Sequence, residues 1–179
     1  MRIIGGNFRG KLITAPASLP VRPTTDFAKT GLFNILLNHF DIDEIQALDL
    51  YAGTGSITYE LLSRGCTSIH AADRNKDCVQ FIRNTLEKLR APGNVKVYQA
   101  DAAIFLTKNN TAYDVIFADP PFEDEVAQDL LTIIHDYKKL KPDGIFILEH
   151  ITGKNYSTLP GFYDMRKYGN VSFSFFHAI

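Results

Sequence analysis

From residue 45 onward the chain alternates short apolar runs with longer amphipathic stretches, and that alternation restricts the fold more than any other feature. The runs occupy residues 45–51, 68–73, 95–100, 113–118 and 145–149, with helical patterns near 57–64, 76–90 and 125–137. Strands that alternate with helices build a mostly parallel, twisted α/β sheet with helices on both faces. Two last stretches, near 163–168 and 171–177, flank Gly169-Asn170 and read as a closing hairpin, an antiparallel edge on that sheet. Ahead of the alternating part, residues 2–14 read as two short strands around a Gly5-Gly6-Asn7 turn. Pro16, Pro20 and Pro23 keep the next stretch extended, and Thr24-Thr25-Asp26 offers helix N-caps before an apolar stripe at Phe27, Leu32, Phe33, Leu36, Leu37 and Phe40. Gly31 inside this helix costs about 0.5–1 kcal/mol relative to Ala, so it marks a close approach of another backbone or a ligand. With 179 residues and no linker, one domain is expected, residues 1–40 forming an extension on a core of residues 45–179.

Composition narrows the functional classes. Hydrophobic residues make up 45% and charged residues 22%, as in an ordinary soluble protein. No run approaches the roughly 18 apolar residues of a membrane span, and the start is not a signal peptide, so a cytoplasmic location is expected. Cys66 and Cys78 lack the spacing of a zinc knuckle or redox pair and read as buried thiols, and the five histidines form no ligand pattern. A metal site is unsupported. The net charge of −1 conceals an asymmetry: residues 1–40 hold Arg2, Arg9, Lys11, Arg22 and Lys29 against Asp26 alone, a balance of +4 that leaves −5 for the rest. A polyanion would meet the N-terminal segment, although a solvated basic edge has the same composition.

Four strand ends carry acids. Asp49-x-x-x-Gly53-x-Gly55 lies at the first strand-to-helix turn, where glycines let a cofactor approach the backbone. Asp73 ends the second run, 18 residues beyond Gly55, close to the spacing at which an acid reaches ribose hydroxyls in doubly wound nucleotide-binding folds. Asp101 ends the third, within reach of an adenine amino group. The third glycine of a dinucleotide turn is replaced by Thr58, and no Lys-Ser/Thr follows to hold a triphosphate. The fourth run closes on Asp119-Pro120-Pro121-Phe122. An exocyclic amine on a flat base is conjugated with its ring, so methylating it requires acceptors for the NH2 group while positive charge develops there. The Asp119 carboxylate and the Pro120 carbonyl supply two, the prolines fix φ near −65°, and Phe122 would lie against the base. Taken singly, each acid is as readily a helix cap or turn residue. Four at successive strand ends favour a site.

Asp49 to Gly55 together with Asp119 to Phe122 resemble motifs one and four of class I S-adenosylmethionine-dependent amino-methyltransferases, a Rossmann-like fold. Arg2-Ile-Ile-Gly-Gly with Arg9-Gly10, and Val21-Arg-Pro-Thr-Thr-Asp26 with Leu32-Phe33-Asn34, are similar to the family that methylates the N2 of a guanine in bacterial 16S ribosomal RNA. The resemblance spans nearly the whole chain. It departs at Phe27-Ala-Lys-Thr-Gly31, where the family often has a charged pattern ending Arg-Glu-Ala. The resemblance implies S-adenosylmethionine as cofactor, held by Asp49, Tyr51, Gly53, Gly55, Ser56, Asp73, Arg74, Asp101 and Ala102. It implies catalysis at Asp119, Pro120, Pro121 and Phe122, and ribosomal RNA or the assembling small subunit held by Arg2, Arg9, Lys11, Arg22, Thr24 and Lys29. A monomer is expected. The nearest rival is a DNA adenine-N6 methyltransferase, which uses the same fourth motif but normally carries a separate DNA-recognition domain. Protein-glutamine methyltransferases typically show Asn-Pro-Pro-Tyr. A non-catalytic RNA-binding protein on this fold is the third reading.

Overall fold

The computed structural model describes residues 1–19, 24–91, 93–121 and 124–179, with side chains in the last stretch from residue 126 on. Their elements run α1 (Asp26–His39), β1 (Gln46–Leu50), α2 (Ser56–Ser63), β2 (Ser68–Asp73), α3 (Lys76–Lys88) and β3 (Val95–Gln99). They continue with α4 (Ala102–Lys108), β4 (Tyr113–Ala118), α5 (Asp124–Asp136), β5 (Leu140–Ile151), β6 (Phe162–Tyr168) and β7 (Val171–His177). The sheet has seven strands in the order β3-β2-β1-β4-β5-β7-β6. β1 to β5 pair in parallel, whereas β7 is antiparallel to both β5 and β6. The chain winds outward from β1 in one direction and returns through β4 in the other, so the topological switch point falls between β1 and β4.

Pleating sends alternate residues to two cores. Ala47, Val115, Phe117, Ile145 and Ile147 pack beneath α1 and α2. Leu48, Leu50, Ile116, Ala118, Phe146 and Leu148 pack on the opposite face with residues of α4 and α5. Helices thus cover both faces, which is why the strands read as continuous apolar runs. Among the described residues no helix is long and apolar enough to cross a membrane, and both cysteines are buried.

The structure departs from the sequence-based expectations in four places. The N-terminal segment is joined by a six-residue excursion, residues 5–10, instead of a tight turn at Gly5-Gly6-Asn7: Ile3 N–H donates to Lys11 O, Gly10 N–H to Ile3 O, and the bridge pairs Arg2 with Leu12. α4 is an additional helix; at seven residues it is too short to show a full apolar period. β5 begins at Leu140, and its register against β4 jumps from Tyr113↔Leu140 to Val115↔Ile145, so Lys141-Pro-Asp-Gly144 bulges out of the ladder as part of a strand. In α1, Phe27 and Leu37 are 68% and 49% exposed while Lys29 is buried, a shift of the buried stripe by about a quarter turn.

Candidate active site

Each acid named above stands at the C-terminal edge of the sheet, and three of them also organise a turn. Asp49 is buried, and its Oδ2 accepts from Thr58 N–H (3.0 Å) and Thr58 Oγ1–H (2.6 Å). The residue standing where a dinucleotide turn has its third glycine therefore fixes the start of α2 to the end of β1. Burial nonetheless pushes the Asp49 carboxyl up to about 7, against the lowering effect of those two hydrogen bonds. Asp73 accepts from Gly53 N–H at 2.8 Å and from Asn75 N–H at 2.7 Å, and so holds the glycine turn against the end of β2. Asp101 caps α4 through Ala103 N–H and Ile104 N–H.

Between these acids lies a crevice of about 10 Å³ lined by Tyr51, Ala72, Asp73, Arg74, Ala100, Asp101 and Ala102. This is the position assigned from sequence to a nucleoside, and it brings five of the predicted cofactor residues together. It is water-sized, smaller than an adenine and ribose, with Arg74 exposed and Tyr51 half-buried at its wall. Gly53 and Gly55 both have positive φ, 54° and 80°. Ser56 Oγ, the first residue of α2, is buried without a hydrogen-bond partner among the described residues. A buried hydroxyl left unmatched at a helix N-terminus fits a charged ligand group lying on the turn. A second cavity, of about 430 Å³, lies between Thr54 of the turn and the segment from Met1 to Leu19, within the roughly 300–1,000 Å³ of small-molecule sites.

Asp119 follows β4 directly, and Pro120 is buried beside it while Pro121 is exposed. The strand register places Ala118 beside Leu148 of β5 and Asp49 beside Phe117, so Asp119 is level with Glu149 and two residues above Asp49. By the pleat, all three carboxylates belong to the face covered by α1 and α2. Burial pushes Asp119 up to about 7. Glu149, 4% exposed, is pushed up to about 8 by burial and then by the charge of Asp119, although Thr24 Oγ1–H donates to its Oε2 at 2.8 Å. Glu149 is absent from the sequence-predicted site although it closes the run 145–149 much as the four acids close theirs, because no motif follows to mark it. Phe122 and Arg22 lie outside the described residues.

The N-terminal basic residues divide. Arg9 and Lys11 are exposed, Lys11 Nζ lying 4.9 Å from the Phe8 ring centroid. Arg2 is half exposed and paired with Asp26 at 3.1 Å. Lys29 is corrected from an RNA contact to a buried strut: it is 1% exposed, donates to Arg2 O at 2.5 Å and lies 3.5 Å from Glu60 Oε1. Glu60, wholly buried on α2, also accepts from Ile4 N–H and pairs with Arg64. Thr24 is likewise corrected, since its hydroxyl is buried and committed to Glu149. Sequence pattern missed Glu60 because α2 is short and its polar positions suggest a wet face. The N-terminal segment instead covers that face: an added Cβ at Gly6, where φ is 72°, would lie 1.8 Å from Ser63 O.

A family model described as "Conserved hypothetical protein 95" matches residues 1–177. The chain belongs to that family. It is 36% identical over 153 residues to "Putative rRNA methyltransferase YlbH" of Bacillus subtilis, covering 84% of this chain and 82% of that one. It is 30% identical over 167 residues to "Ribosomal RNA small subunit methyltransferase D" of Escherichia coli, covering 93% and 83%. Among solved structures it is similar to "Putative methyltransferase yhhF from Escherichia coli", with a TM-score of 0.85 at 28% identity over 99% and 97% of the two chains. The fold is thus that of the class I methyltransferases, as the strand-end motifs imply.

Proposed function

We propose that this chain is an S-adenosylmethionine-dependent methyltransferase that methylates the exocyclic N2 of a guanine in 16S ribosomal RNA, on the small subunit during its assembly. The observation that carries the reading is the placement of Asp119-Pro120 at the end of β4, beside the switch point and on the same sheet face as Asp49. The names of the relatives support the ribosomal substrate and disfavour the DNA adenine rival.

S-adenosylmethionine supplies a methyl group on a sulfonium. Asp73, Asp101 and Tyr51 would hold its nucleoside in the crevice, and the Gly53–Gly55 turn with Ser56 would hold its amino-acid end. Asp119 and the Pro120 carbonyl accept hydrogen bonds from the guanine amine, orient it in line with the methyl group and stabilise the charge it gains. No covalent enzyme intermediate is needed. The base reaches this edge from a loop or unstacked, because a stacked, paired base cannot present its amine. Arg9 and Lys11 hold the RNA backbone, with Arg2 secondary because Asp26 already pairs with it.

The test is methyl transfer from labelled S-adenosylmethionine to small subunits from a strain lacking this protein, followed by nucleoside analysis. N2-methylguanosine is expected, and the Asp119→Ala variant should lose about 10²–10⁴-fold in rate while still binding cofactor. Near-normal turnover by that variant overturns the mechanism. Label in N6-methyladenine of DNA and none in RNA establishes the rival, and cofactor binding without transfer establishes the non-catalytic reading.

A further inference from the structure

Glu149 has no place in the mechanism above, yet the fold positions it with care. It leaves β5 level with Asp119, from the neighbouring strand and toward the same face, with Phe173 of β7 across its other edge. It is almost wholly buried, and the first residue before the α1 N-cap, Thr24, reaches 125 positions along the sequence to donate to it. Among the described residues its charged neighbours are Asp119 from β4 and, deeper in the face, Asp49 from β1. A carboxylate is rarely taken out of water without a countercharge, and one that faces a second carboxylate is found where function requires it.

We propose that Glu149 is the partner carboxylate of Asp119: a positioning residue that acts through Asp119 and keeps it a base able to take the proton that the methylated amine must shed. This rests on the methyltransferase reading. In the step concerned, the amine lone pair forms the N–C bond and the S–C electron pair stays on sulfur, leaving a thioether. The nitrogen now carries the positive charge. One N–H bond breaks, its electron pair returns to nitrogen, and the proton passes to Asp119. Solvent need not reach the amine, because the pair holds that proton between two like charges that disfavour being ionised together. Burial raises both carboxyls, and the charge of Asp119 raises Glu149 further, as in such a pair. The Thr24 hydrogen bond fixes Glu149 on this face and ties the start of α1, hence the basic N-terminal extension, to the catalytic strand ends.

Single-turnover methyl transfer to small subunits between pH 5.5 and 8.5 tests this with Glu149→Gln, which keeps the acceptor for Thr24 and removes the charge. Asp119 ionises first and Glu149 about one pH unit later, so ionisation of Glu149 beside the Asp119 carboxylate makes that carboxylate the stronger base. The wild-type rate should therefore climb a second time as pH rises through about 8, and Glu149→Gln should lose that climb, with a plateau about tenfold lower. A lower plateau that keeps the second climb means a merely structural role, and an unchanged profile means none; either overturns the proposal. Urea unfolding provides a reading that does not depend on catalysis: relative to the wild type, Glu149→Gln should gain stability as pH rises from 5.5 to 8. A pH-independent difference overturns the buried pair. Wild-type protein that methylates no small-subunit substrate overturns the functional reading instead, which separates the two failures.

Discussion

At the scale of single residues, the basic N-terminus contains two kinds of cation that composition cannot distinguish. Arg9 and Lys11 project into solvent, whereas Lys29 is sealed against Glu60. Replacing Arg9 or Lys11 by Ala should leave the unfolding midpoint nearly unchanged and lower the salt-dependence slope of RNA binding by about one each. Lys29→Met should do the reverse: it leaves Glu60 buried with only Arg64 as countercharge and costs about 3 kcal/mol in stability. Urea unfolding and filter binding at several salt concentrations separate the two. Thr58 makes a related point. Read from sequence as a missing glycine, it is in the structure the donor of both hydrogen bonds that secure Asp49.

At the scale of elements, α1 and the C-terminal hairpin are fitted to one another through Gly31. An added Cβ there would lie 2.1 Å from Tyr168 Cε1, and the Tyr168 ring also meets Phe27 edge-on at 5.5 Å and Phe173 at 5.5 Å. The glycine thus marks a close approach, but of a tyrosine ring from β6 and neither a backbone nor a ligand. Phe27 and Gly31, at the two ends of the stretch that departs from the resembled pattern, both meet this ring. Gly31→Ala gains up to about 1 kcal/mol in helix propensity yet displaces the ring, so a net loss of about 1–2 kcal/mol is expected. In a background of Tyr168→Ala the same substitution should become stabilising, and a double-mutant cycle by thermal unfolding should show coupling of about 1 kcal/mol or more.

For the molecule as a whole, three carboxyls on one sheet face, Asp49, Asp119 and Glu149, are raised to about 7, 7 and 8. Their ordinary values lie near 4, so between about pH 4 and 8 these three groups hold protons in the folded state that they have lost in the unfolded chain. Their contribution to stability falls as pH rises through that window, whereas buried His70, lowered from 6.5, works the other way only below that value; the midpoint of urea unfolding should be lower at pH 8 than at pH 6. On the proposed function, a bound sulfonium would place positive charge beside the same face, favour the ionised forms and offset part of that loss. The stabilisation by saturating S-adenosylmethionine should accordingly be larger at pH 8 than at pH 6, measured as a shift in melting temperature.

The amino-acid sequence by itself determined the order of strands and helices in the core apart from α4, the parallel sheet, the antiparallel closing hairpin and the row of acids at the strand ends. Those are local properties: apolar period, glycine turns and proline pairs act over a few residues, and their consequences propagate through the connection rules of α/β folds. Tertiary structure alone decided which polar side chains are buried. Lys29 and Glu60 are 31 positions apart, Thr24 and Glu149 are 125, and neither pairing has a periodicity to betray it. The same holds for Glu149 beside Asp119. Their proximity follows from the strand register, which packing of both faces fixes only after the whole sheet has assembled.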